Sequence, residues 1–312
     1  MKPESTFWQH RLPHFGTGRF CYDFLPQAGH AHPGPSVHFF RGGGISQTRP
    51  LPQRAAALTL TAALLTGAAF PAFADTYYIE NGDIVISAGT EAGTNKVEQG
   101  GKGTFNNDKD TIISSKTNTA SRNTVTIHTE NKNDNVEVKL KDVNIDGRSQ
   151  NKAAVSVTGS GNTTIELDGS NTLKSGSGHA GLEHNKTDTS GELTIQDNDK
   201  NGSLKAAGGQ YGAGIGGAGA ANDAQVKITG GKITATGGEY GAGIGGGFKG
   251  SGDVTISGGE INATGGYLGA GIGGGEKGSG DVTITGGEIT SATGGKYGAG
   301  TVSYTHLRAH ET

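Results

Sequence analysis

The sequence of 312 residues predicts an all-β protein, a three-sided parallel β-helix solenoid with about 28 residues per coil. First, residues 253–266 return almost unchanged as residues 281–295. Second, apolar and polar residues alternate in steps of two inside each repeat, which is typical of short strands with one buried face. Third, paired glycines separate these strands and disfavour helices, because each glycine costs a helix about 1 kcal/mol relative to alanine. Repeats of this length bury their apolar faces by stacking on their neighbours.

Three short strands are predicted in each coil. In one coil they fall at residues 254–256, 261–263 and 270–272. The isoleucines recur in columns, of which one contains Ile228, Ile256 and Ile284 at intervals of 28 residues. Corners are predicted at Gly258-Gly259, Gly265-Gly266 and Gly273-Gly274-Gly275, where we expect positive φ angles that favour glycine. Equivalent strands should pair in parallel about 4.8 Å apart, and the known handedness of parallel crossovers favours right-handed coiling.

The repeat becomes less regular toward the N-terminus. We predict β-helix repeats over residues 123–301 and an irregular N-terminal capping region at residues 75–122. Leu182 and Ile215 occupy equivalent positions although they are 33 residues apart. The additional residues, within 184–190 and 197–201, are polar, and we interpret them as loops inserted at corners.

Residues 54–74 have the pattern of a signal peptide. Arg54 precedes an apolar stretch at 55–70, and Ala72-Phe73-Ala74 supplies a small-residue cleavage site before Asp75. A buried helix or a membrane span is the alternative, but 16 apolar residues are short for a span. We therefore expect cleavage between Ala74 and Asp75, a secreted or cell-surface protein, and no transmembrane segment in the mature chain.

Both ends of the sequence depart from the repeat pattern. Residues 1–53 are rich in His, Pro, Phe and Gly without a period, and we interpret them as translated upstream sequence or as the consequence of a non-Met start near Leu51. An extended export signal is the alternative. Residues 302–312 break a coil halfway and resemble a translated sequencing adapter. We therefore expect the natural protein to continue beyond Thr301, and we assign no function to His306 and His310.

Composition argues against several classes of function. The only cysteine, Cys21, precedes the predicted mature chain, which argues against a disulfide framework or a thiolate metal site. The net charge is −3, and the absence of a basic stripe argues against nucleic acid as a partner.

Acidic residues recur in two columns of the predicted solenoid. Asp253 and Asp281 form one column and Glu260 and Glu288 the other, with about 5 Å between successive coils. This spacing is similar to the distance between the two catalytic carboxyl groups of a retaining glycosidase. However, an active site is needed once, and repetition favours solvated surface residues, so we assign no catalytic residue. Calcium bound at Asp253 and Asp281 is a further hypothesis, because hard cations prefer oxygen ligands. No other cofactor is expected.

Tyrosines recur at one predicted corner. Tyr211, Tyr240 and Tyr297 are in equivalent positions, while the intervening coil has Leu268 with Tyr267 beside it. Such a ladder could stack the rings of a glycan. The simpler interpretation is that the rings stabilise the corner by stacking on one another.

Three histidines of the repeat region show no catalytic pattern. His128, His179 and His184 are scattered, without a pattern of Ser or Cys partners. We interpret them as turn or surface residues.

The glycine-rich motifs resemble a known group of proteins. The motifs at residues 178–183 (GHAGLE), 240–247 (YGAGIGGG) and 258–266 (GGEINATGG) are similar to those of secreted and surface β-helix proteins of gut-type bacteria, often labelled carbohydrate-binding. The resemblance covers about residues 140–301. It implies the fold and an extracellular glycan or host-surface partner, but it carries over no ligand-binding residue.

Three functions are consistent with this sequence. We favour a non-catalytic extracellular module that binds glycans or mediates adhesion. A structural stalk or passenger segment is the first alternative, and a polysaccharide lyase or hydrolase is the second. An enzyme should gather acids and cations in one irregular coil, whereas Arg148 is the only arginine in residues 123–301.

Overall fold

The computed structural model describes residues 75–101, 103–220, 223–301 and the short strand Tyr304–Thr305. Over these residues the chain forms a parallel β-helix with three sheets, as predicted. The segments 1–53 and 54–74, including Ala74, lie outside the described residues, as does most of 302–312. Within the described part, no helix is both long enough and apolar enough to cross a membrane.

Sheet I contains the first strand of each coil, the one predicted at residues 254–256. Its members are β1 (Thr76–Tyr78), β5 (Ile112–Ser114), β7 (Asn135–Lys141), β10 (Asn162–Asp168), β13 (Leu193–Gln196), β16 (Asp223–Ile228), β19 (Gly252–Ile256), β22 (Gly280–Ile284) and β24 (Tyr304–Thr305). Sheet III follows sheet I in each coil. Its members are β8 (Asn144–Asp146), β11 (Ser170–Lys174), β14 (Ser203–Ala207), β17 (Lys232–Thr236), β20 (Glu260–Thr264) and β23 (Glu288–Thr293).

Sheet II contains the last strand of each coil, which shortens to two residues in β15, β18 and β21. Its members are β2 (Ile84–Ala88), β3 (Asn95–Gln99), β4 (Thr104–Asp108), β6 (Val125–Thr129), β9 (Val155–Gly159), β12 (Leu182–Lys186), β15 (Ile215–Gly216), β18 (Ile244–Gly245) and β21 (Ile272–Gly273). Two turns of 3-10 helix lie at Ile79–Asn81 and Arg148–Gln150.

The predicted columns form the core. Ile228, Ile256 and Ile284 stand in register on sheet I. Ile256 and the corresponding Ile261 of sheet III and Ile272 of sheet II are all fully buried. Leu182 pairs with Ile215, which confirms that the additional residues between them leave the register of the coils unchanged.

Parallel pairing begins within residues 75–122. Strand β1 pairs in parallel with β5, and β2 pairs in parallel with β6. Between these coils the chain makes an antiparallel excursion, in which β3 pairs with β2 and β4 pairs with β3. This meander extends one end of sheet II.

The corner glycines are required mainly by close packing between coils. Positive φ angles occur at Gly259 (89°) and Gly273 (130°), as expected. The expectation is wrong at the other predicted corner glycines, of which Gly266 is the clearest example: its φ is not positive, and a Cβ added there would lie 1.6 Å from the carbonyl oxygen of Gly238. Because the backbone of one coil passes directly against the next, a side chain has no space at this corner.

Candidate functional site

The tyrosines lie where the chain leaves sheet III and enters sheet II, a surface that we call the III–II corner. Hydrogen bonds between coils fix its register: the amide of Gly238 donates to the carbonyl of Gly212 over 3.0 Å, and the amide of Gly266 donates to Gly241 over 3.0 Å. Each coil therefore places its corner residues directly over those of the preceding coil.

Two of the four predicted tyrosines form a packed cluster with a phenylalanine. The rings of Tyr211 and Tyr240 are stacked, with centroids 5.1 Å apart and planes 10° apart. Phe248 packs on both, at 5.6 Å from each. Its amide donates to the carbonyl of Tyr211 over 2.8 Å, which places it in the adjacent turn. Each of these three rings packs on the other two, as the stabilising interpretation expects.

The other two tyrosines form a separate, more exposed pair. Tyr267 and Tyr297 meet edge to face, with centroids 5.3 Å apart. Their exposed fractions are 47% and 67%, compared with 36% for Tyr211. The structure therefore divides the predicted ladder into two groups, with Leu268 in the column between Tyr240 and Tyr297.

Lysines lie beside both aromatic groups. The Nζ atom of Lys249 is 5.0 Å from the centroid of Phe248, and that of Lys296 is 5.4 Å from the centroid of Tyr297. A shallow depression of about 650 Å³ opens beside the first group, lined by Gly178, Tyr211, Gly219, Ala220, Phe248 and Lys249. Together they form a surface that offers ring faces, hydroxyl groups and ammonium groups.

The acidic columns are formed as expected, but lysines neutralise part of them. Asp253 and Asp281 are neighbours in register, and the carboxylate of Asp253 forms an ion pair with Lys186. The carboxylate of Glu260 forms an ion pair with the ammonium group of Lys232, with 2.8 Å between Oε1 and Nζ. Lys186 and Lys232 thus supply the positive charge that a cation would otherwise provide next to Asp253 and Glu260.

A different group of acids offers more oxygen ligands to a metal ion. Carboxylate oxygens of Glu166, Asp197 and Asp199 lie within 4.8 Å of one another. The two aspartates belong to the corner insertion at 197–202, whose D-x-D-x-N-G spacing is similar to that of calcium-binding loops. We interpreted this segment only as a loop, although its D-x-D-x-N-G pattern was the signal that could have indicated a metal site. Glu166 joins it from the preceding coil and gives no such signal in the sequence. These residues could hold a divalent cation.

The three histidines have different environments. His128 is exposed and its Nδ1 contacts the hydroxyl of Thr158 at 3.0 Å. His179 is half-buried and its Nδ1 is 2.8 Å from the Oε2 atom of Glu183. His184 points into the core, with only 2% of its surface exposed, so its prediction as a turn or surface residue is wrong. Apolar periodicity missed it because histidine is polar and lies here in a segment that we interpreted as a loop. Its partner in register, the buried Val157, is the signal that could have shown that it faces inward.

Acid is expected to destabilise the protein through His184. Burial lowers the pKa of this imidazole, an effect that contacts with the carbonyls of Val157 and Gly191 partly oppose. In the unfolded chain histidine titrates near pH 6.5. The unfolded state therefore binds more protons below that pH, and stability should fall as pH decreases through it. Thermal melts from pH 8 to pH 5 should show a smaller loss for His184→Val than for the unmodified protein. The same loss in both would contradict this, and His128→Gln is the matched control.

Comparison with known proteins supports the fold. Residues 226–248 and 254–276 match the family described as Beta helix repeat. No curated protein and no solved structure matches the chain. The two matched segments coincide with consecutive coils of the structure, each formed by one strand from every sheet. The protein is a parallel β-helix repeat protein.

Proposed function

We propose that the protein is a non-catalytic extracellular module that binds extended glycans along the III–II corner. The observation that carries this proposal is the exposure of aromatic rings on one surface. Among the described residues, five large hydrophobic side chains are exposed, and three of them, Tyr211, Tyr267 and Tyr297, lie on this corner. Aromatic side chains have an apolar face and, in tyrosine, a hydroxyl group, which suits the mixed surface of a sugar.

The spacing of the coils also supports a polymeric ligand. Successive coils repeat the same surface about every 4.8 Å. Weak contacts of the same kind can therefore add up along an extended chain. We expect affinities between millimolar and micromolar, about −4 to −8 kcal/mol.

The partners of the charged residues support binding without turnover. Asp253 is paired with Lys186, and Glu260 with Lys232. The guanidinium of Arg148 is held by Asp146, at 2.6 Å. General acid and base catalysis needs an acid and a base that face one substrate, whereas Asp253 lies on sheet I and Glu260 on sheet III. Export by the segment at 54–74, with cleavage before Asp75, is part of the proposal, as is binding without a cofactor.

Replacement of Tyr267 and Tyr297 by alanine is expected to weaken glycan binding about tenfold or more. Two ring faces are lost, and a total loss of about 1.4 kcal/mol is a factor of ten in affinity. The measurement is calorimetric titration with soluble plant, microbial and host glycans, in calcium and in EDTA. Affinity should be the same in both solutions. Phe105→Ala is the matched control, because Phe105 is an aromatic residue with 50% exposure on strand β4, away from this corner.

Two outcomes would contradict the proposal. Release of reducing ends or unsaturated products by the pure protein would show an enzyme. No binding by a folded protein across the whole panel would favour the structural stalk, for which the mutual packing of Tyr211, Tyr240 and Phe248 is the relevant observation.

A further inference from the structure

A polar cleft lies on the N-terminal coils at the same III–II corner. It has a volume of about 260 Å³. Its polar lining comes from four successive coils. These are separated by three intervals of about 4.8 Å, so the cleft is about 14 Å long. The polar side chains that line it are Asp83, Thr124, Thr126, Lys152, Ser156, His179 and Glu183.

Two residues of this cleft lie where their columns change from other side chains in the N-terminal coils to glycine in the later coils. The carbonyl of His179 accepts a hydrogen bond from the amide of Gly209. In the next coil, the carbonyl of Gly212 accepts the corresponding hydrogen bond from the amide of Gly238. His179 and Gly212 therefore occupy equivalent positions. Glu183 stands opposite Gly216 on the next strand. In the preceding coils Lys152 stands in the column of His179, and Ser156 and Thr126 stand in the column of Glu183. His179 and Glu183 contact each other, and the cleft lies on the part of the solenoid where these columns still carry polar side chains, before the repeated surface becomes uniform.

The pair has the geometry of an oriented imidazole. The Oε2 atom of Glu183 is 2.8 Å from Nδ1 of His179 and accepts the amide of Ala180 over 3.2 Å. The side chain of Glu183 is only 9% exposed, whereas 36% of the His179 side chain is exposed. A carboxylate that fixes Nδ1 sets the ring orientation and leaves Nε2 to a ligand.

The charges of the cleft favour a neutral ligand. Asp83 accepts the amide of Thr124 over 2.7 Å and pairs with Lys152 at 3.2 Å. The ammonium group of Lys152 is therefore paired with the carboxylate of Asp83, and Glu183 adds a second carboxylate to the cleft. Thr126 and Ser156, which carry hydroxyl groups, also line the cleft. Alternating donors and acceptors suit a hydroxyl-bearing sugar, while an anionic sugar would meet two negative groups.

The cleft is continuous with the aromatic surface. Gly178 lines the depression beside Tyr211, and its neighbour His179 lines the cleft. We infer that the cleft is a polar subsite that holds one neutral, hydroxyl-bearing sugar residue of a glycan, while the following residues lie over the aromatic groups. This inference rests on the proposed function and adds the class of sugar and the residues that orient it.

The test compares hexasaccharides of cellulose, xylan, chitin and polygalacturonate on the complete protein. His179→Ala should weaken binding of a neutral hexasaccharide about tenfold, and Glu183→Gln should weaken it less. In NMR spectra the Hε1 signal of His179 should shift when the neutral hexasaccharide is added. His128→Ala is the matched control, since His128 is exposed on β6 of the same sheet and does not line the cleft.

The outcomes separate the two proposals. If the tyrosine variants lose affinity while His179→Ala keeps it and the His179 signal does not move, the polar subsite is refuted and the proposed function stands. If the unmodified protein binds none of these hexasaccharides but binds another glycan of the panel, the polar subsite alone is refuted; if it binds no glycan of the panel, both are refuted. Preference for the polygalacturonate hexasaccharide would overturn the assignment to a neutral sugar. Melting temperatures of the variants identify any loss that comes from unfolding.

Discussion

Replacement of Ile256 by aspartate is expected to destabilise the β-helix by more than about 4 kcal/mol. Ile256 is fully buried on β19, between Ile228 and Ile284 of the adjacent coils. The change removes apolar contacts and places an unpaired carboxylate where water cannot reach it, which is strongly unfavourable. Urea denaturation followed by circular dichroism measures the free energy of unfolding.

The control for this experiment lies one residue away. Thr255 is exposed on the same strand, and Thr255→Asp should change stability by no more than about 0.5 kcal/mol. Equal damage from the two substitutions would mean that the assignment of inward and outward positions on sheet I is wrong.

The second large loss of stability is expected when a single methyl group is added at a corner glycine. Gly266→Ala places a Cβ atom 1.6 Å from the carbonyl oxygen of Gly238, a distance that the two coils can relieve only by moving apart. We expect a loss of about 3 kcal/mol or more, measured in the same urea titration.

Gly178→Ala separates this steric effect from a conformational one. Gly178 has a φ of 88°, and an added Cβ there has no atom within 4 Å. The substitution should cost only about 1 to 2 kcal/mol, the penalty for a left-handed conformation. A larger loss for Gly178→Ala than for Gly266→Ala would contradict our account of the corner glycines.

Most of the fold could be predicted because the same sequence pattern recurs in successive coils. Ile228, Ile256 and Ile284 reveal a period that a single coil could not, and the two-residue alternation identifies the buried face. The pairing of β3 with β2 and β4 was not predicted. Alternation indicates that a segment is a strand, but it does not give the direction of its neighbour, and this meander occurs only once.

The site was predicted less completely, because it depends on exceptions to the repeat. The recurring tyrosines were visible, but Phe248 was missed, since the equivalent position of the next coil is Glu276. The contact between His179 and Glu183 depends on a turn that brings residues four apart together. A comparison of GHAGLE with YGAGIGG shows both residues as departures from glycine, which is the signal that could have found them.

The constant register of the coils has a consequence for how such a gene can change. Residues 252–256 pair with residues 280–284 one to one, without a shift in register. Either strand therefore offers the same backbone hydrogen-bonding edge to the strand of the next coil. Recombination between these similar stretches would add or remove one whole coil while the remaining coils keep their contacts. The length of the molecule can thus vary in steps of one coil, about 4.8 Å each, without any change in the design of the core.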